Sequence, residues 1–72
     1  MHGYRKGQIR VVFFYGVSDE KMFSLIESII PASVAGRAGP VFKLRVPEGY
    51  EAAMVRRFQK EPAVITAERF ED

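Results

Sequence analysis

The chain has 72 residues, enough for one domain and no second. Apolar residues make up 47% and charged residues 28%, a globular balance, and a formal net charge of +2 is too slight to imply nucleic acid by itself. There is no cysteine, which excludes disulfides and thiolate metal sites. A domain this small buries only about 60% of the surface its unfolded chain exposes, so each core contact carries weight.

Residues 1–7 hold Gly3, Gly7 and the basic pair Arg5-Lys6, and they read as a flexible arm in front of a single domain over 8–72. Ile9 to Tyr15 is rich in β-branched and aromatic residues and predicts a strand. Alternation puts Ile9, Val11, Phe13 and Tyr15 on one face and Arg10, Val12 and Phe14 on the other. Gly16-Val17-Ser18 turns the chain, with Ser18 as N-cap and Asp19 and Glu20 at the positive end of a helix dipole. Met22, Leu25, Ile26 and Ile29 recur at helical spacing with Phe23 and Ile30 beside them, and Pro31 closes the helix by forcing Ile30 out of helical geometry.

Ala32 to Ala38, made of small residues, reads as an edge strand, and Gly36-Arg37-Ala38-Gly39-Pro40 has hairpin-turn chemistry. Val41 to Val46 alternates, with Phe42, Leu44 and Val46 facing one way and Val41, Lys43 and Arg45 the other. Pro47-Glu48-Gly49 opens a second helix with Tyr50, Ala53, Met54 and Phe58 as its apolar stripe. Glu61-Pro62 stops that helix, and Ala63 to Glu68 predicts the last strand. The order βαββαβ predicts an α+β, ferredoxin-like fold: a four-stranded antiparallel sheet with two helices on one face. The second face is then open and lined by Arg10, Val12, Phe14, Val41, Lys43 and Arg45, an apolar centre with basic edges suited to docking a partner or a second copy.

No catalytic constellation, metal-ligand spacing or cofactor motif is present. His2 is the only histidine and falls in the arm, and none of the serines has a histidine base. Glu48 with Glu51, and Glu71 with Asp72, read as solvated carboxylates that nothing buries. The 36–40 segment is too short for a phosphate loop. Arg56-Arg57 and Lys60 read as a solvated helix face. Val12-Phe13-Phe14-Tyr15-Gly16-Val17 is similar to the first-strand motif of an RNA-recognition motif, but strand three offers Lys43 and Arg45 where stacking needs aromatic rings. The basic start is followed by only about seven apolar positions and lacks a small-residue cleavage site, which is a poor signal peptide. The longest apolar run is too short to cross a membrane. The expected location is cytoplasmic, or extracellular for a processed fragment.

Three stretches carry a resemblance: Gln8 to Ser18, Phe42 to Gly49 and, above all, Glu61-Pro62-Ala63-Val64-Ile65-Thr66-Ala67-Glu68. In order and spacing they resemble the subtilase propeptide family, the chaperone and inhibitor domains of subtilisin-like serine proteases. The resemblance implies a non-enzymatic protease inhibitor or chaperone-like module with such a protease as partner. It implies that Arg10, Val12, Phe14, Val41, Lys43 and Arg45 form the sheet contact. It further implies that Glu68 caps a protease helix and that Arg69, Phe70, Glu71 and Asp72 enter the active-site cleft. Two acids in that tail depart from the small or apolar residues the cleft usually takes. The alternative reading is a ferredoxin-like RNA-binding or self-associating regulatory module.

Overall fold

A computed structural model describes residues 3–29 and 31–71; the expected roles of His2, Ile30 and Asp72 lie outside them. The elements are β1 (Tyr4–Phe13), α1 (Asp19–Ser28), β2 (Ser33–Ala38), β3 (Val41–Arg45), α2 (Glu51–Gln59) and β4 (Val64–Glu71). All strand pairs are antiparallel and the sheet order is β2-β3-β1-β4, the ferredoxin-like arrangement. The two strands with the strongest alternation, β1 and β3, occupy the centre, where both edges of the backbone find partners.

The helix-side face of the sheet is apolar because the alternation makes it so. Ile9, Val11 and Phe13 from β1 meet Phe42 and Leu44 from β3, all fully buried. Met22, Ile26 and Ile29 from the α1 segment cover this layer, as do Met54 and Phe58 from α2. Phe42 is the centre of an aromatic group, edge-on to Phe13 and to Phe23 with both ring pairs 5.4 Å apart. Ser18 caps α1 as its type predicts, its hydroxyl accepting from the Lys21 N–H at 3.2 Å.

Several boundaries differ from the sequence reading. β1 begins at Tyr4, within the segment expected to be an arm, because Gly7 adopts φ +74° and lets the strand bulge rather than stop. β1 ends at Phe13, where β3 and β4 also run out of partners, so Tyr15 is 94% exposed and not part of the core face. The hairpin turn is Gly39-Pro40 alone, since Ala38 pairs with Val41; Gly36 and Arg37 belong to the edge strand β2. α2 begins at Glu51, which leaves Tyr50 exposed at the cap and Ala53 on the solvent side. β4 continues to Glu71, past the expected end at Glu68.

Candidate docking surface on the open sheet face

Residues that face away from the helices are fixed by register, because directly paired residues share a face. Ile9 and Val11 point into the core, so Arg10 and Val12 between them point outward. Their partners on β3 are Lys43 and Val41, and on β4 they are Glu68 and Thr66. Arg45, opposite Gln8, extends the same row. The structure therefore brings together Arg10, Val12, Val41, Lys43 and Arg45 as one surface. Phe14 follows the last residue of β1 and is half exposed, held by its backbone N–H donating to the Ala63 carbonyl at 2.9 Å.

The surface has a charge pattern with a physical reading. Arg10 donates to the Glu68 carboxylate at 2.6 Å, so the face's acid and one of its bases neutralise each other. Lys43 and Arg45 have no acidic partner among the described residues. The Lys43 stem lies over Gly36, its Cε 3.5 Å from where a Cβ on that residue would sit. A shallow concavity of about 290 Å³ has Arg10, Ala38, Val41, Lys43 and Phe70 among its lining residues. An apolar depression flanked by an unpaired cation is suited to an apolar side chain with an acid beside it.

The five residues expected to form a tail divide differently. Glu68 lies on the open face, committed to Arg10. Arg69 pairs with Ile9 and so points to the helix side. Phe70 is half-buried, with the Arg5 guanidinium 5.5 Å above its ring. Glu71 pairs through its backbone with Tyr4, and Asp72 is outside the described residues.

The sequence reading missed Glu51. Taken for a solvated carboxylate, it is only 4% exposed. Its two oxygens accept from the Gly7 N–H at 2.7 Å and the Gly49 N–H at 2.9 Å. These bonds, the Gly7 one foremost, and the nearby Arg69 charge hold its carboxyl below the ordinary glutamate range against the opposing effect of burial. An acid in the first turn of a helix is a weak signal, and nothing in the sequence links it to a glycine 44 residues away.

On the helix side, Arg37 stacks over Phe42 and Phe23 at 5.0 and 5.4 Å and pairs with Asp19. That pairing ties β2 to α1 and holds the Asp19 carboxyl below its usual value. On α2, Arg57 of the expected basic face is paired with Glu61. Among the described residues no three His, Asp or Glu side chains are placed to hold a metal ion, and no helix is long and apolar enough to cross a membrane. No protein family, curated protein or solved structure matches the chain.

Proposed function

We propose that this is a non-enzymatic protein-binding domain that docks a folded, acidic partner on its open sheet face, with a subtilisin-like serine protease as the first partner class to test. The observation that carries this reading is the pair of cations, Lys43 and Arg45, without an acidic partner among the described residues, beside the apolar row of Val12 and Val41. The protease is suggested by the resemblance of 8–18, 42–49 and 61–68 to subtilase propeptides. In that reading the domain acts as an inhibitor or chaperone-like module.

Charge argues for an acidic partner over a second copy. Two open faces brought together would set Lys43 and Arg45 against a surface of their own sign, while Glu68 is already engaged. RNA is less well supported, because the central strands present Arg10, Val12, Val41 and Lys43, none of them aromatic, where base stacking needs rings. Sheet contact alone gives binding. For residues 69–71 to enter a cleft and block a small substrate as well, they must leave β1 on docking, and inhibition reads that second step.

The test is inhibition of several subtilisin-like proteases, read with a small peptide substrate, by the wild-type domain and by Lys43→Glu/Arg45→Glu. Expected is saturable inhibition by the wild type, weakened at least about tenfold in the double variant, whose fold is unchanged by circular dichroism. Absence of inhibition at high micromolar concentration would defeat the protease assignment. A salt-dependent shift with single-stranded RNA would transfer the surface to RNA. Dimerisation in sedimentation would transfer it to a second copy.

A further inference from the structure

The pairing of β1 with β4 is not one continuous ladder. It is regular from Ile9↔Arg69 to Val12↔Thr66, and then the next rung is Tyr4↔Glu71. Four β1 residues, Arg5, Lys6, Gly7 and Gln8, thus lie opposite one β4 residue, Phe70. A rung isolated in this way lacks the cooperative support that neighbouring rungs give each other. What holds the excursion in place lies elsewhere. The Gly7 carbonyl accepts from the Val46 N–H at 2.9 Å, and the Gly7 N–H donates to the buried Glu51 carboxylate at 2.7 Å. The same carboxylate takes the Gly49 N–H at the entry to α2. One side chain therefore fastens the bulge of β1 to the start of α2, and that bulge is the stretch of β1 that faces the end of β4.

From this geometry we infer that Glu51 is a latch: it keeps Arg69–Glu71 sheathed on β1, and its release converts these residues into an extended segment able to add as a strand to a partner. The latch rests on the docking reading for its purpose, since it regulates whether the end of β4 joins the open face in partner contact. Its mechanics are independent of any partner. A carboxylate serves here because both backbone groups it meets are donors and it has only acceptors to offer. A glutamine of the same shape turns an amide NH₂ toward one of those donors, so it breaks one bond while filling the same space.

The test is ¹⁵N relaxation on the wild type and Glu51→Gln, with no partner present. In the wild type, residues 69–71 give order parameters near those of rigid backbone, about 0.85; in Glu51→Gln they fall below about 0.6 while residues 64–68 and 9–13 stay rigid. Brief trypsin treatment reports the same event, cutting after Arg69 in the variant before any cut after Arg10 or Lys43. Unchanged order parameters at 69–71 in a folded variant overturn the latch, as does an equal fall across all of β1 and β4. Should Glu51→Gln fail to fold, Gly7→Ala disturbs the same bond from the other side and is read by the same criteria. Failure of the protease and charge-reversal assay defeats the protease assignment and leaves this result standing.

Discussion

Replacing Gly7 by alanine tests whether the bulge of β1 is a close-packed feature or an ordinary turn. Gly7 has φ +74°, where an L-residue costs roughly 1–2 kcal/mol. A Cβ there would sit 3.1 Å from the carbonyl oxygen of Val46, the buried residue just after β3 whose own N–H is bonded to the Gly7 carbonyl. Relieving that approach adds about 1 kcal/mol, the low end of overpacking costs. The lower entropy of the unfolded alanine chain returns about 0.4–1 kcal/mol, which leaves a net loss of about 2 kcal/mol. Gly39→Ala is the internal control, because Gly39 also has positive φ (+58°) but no atom within 4 Å of its Cβ position. Its net loss is about 0.5–1 kcal/mol by the same reasoning. For a domain of this size 1 kcal/mol corresponds to about 4–8 °C in Tm, so Gly7→Ala falls by roughly 8–16 °C and Gly39→Ala by about half that or less. Thermal and urea unfolding followed by far-UV circular dichroism measure both. Equal losses in the two variants would show that the approach to Val46 carries no energy, and the reasoning would fail.

Acid unfolding should depend on Glu51. Its carboxyl is held below the ordinary value by the Gly7, own-backbone and Gly49 N–H groups and by Arg69, so its stabilisation is complete above the ordinary glutamate pKa and is lost as pH falls through the lowered one. Glu51→Gln should flatten this part of the stability–pH curve, and an unchanged acid limb would contradict the assignment. Ser18→Ala removes the cap bond to the Lys21 N–H and should cost about 1 kcal/mol, with Ser18→Asp restoring most of it; equal Tm values for all three proteins would remove the cap from the account. Phe42→Ala empties the site between Phe13, Phe23 and Arg37 and should cost about 3–5 kcal/mol, a large part of the total stability of so small a domain. A Tm loss of only a few degrees would mean that the aromatic group is not the centre of the core.

The latch and the surface have different demands on the chain. Lys43 and Arg45 make no ion pair among the described residues, so reversing their charge should change stability by no more than about 0.5 kcal/mol. Glu51 is bound on two sides and cannot be changed without disturbing the sheet end it holds. Binding and stability variants therefore separate cleanly: losses from the first pair should appear in affinity, and losses from Glu51 and Gly7 should appear first in the order of residues 69–71.

Much of this protein was determined by local sequence. Alternation at Ile9, Val11 and Phe13 and at Phe42 and Leu44 requires one apolar sheet face, and that requirement alone leaves Arg10, Val12, Val41, Lys43 and Arg45 on the other. Ser18 set the start of α1 through a bond within four residues of chain. Other features were set only by distant neighbours. Where β1 stops depends on where its antiparallel neighbours β3 and β4 begin, so Tyr15 could alternate perfectly and still lie in water. β4 runs on through Arg69 and Phe70 because a bulged β1 is there to receive it, and that bulge stands on Gly7. Glu51 is charged and buried because two backbone donors from separate segments converge on it, which no reading of helix propensity can register. Periodicity decides which face a residue takes, since that is a property of the residue and its immediate neighbours. Strand length and the burial of a charge are decided by what the rest of the fold places opposite.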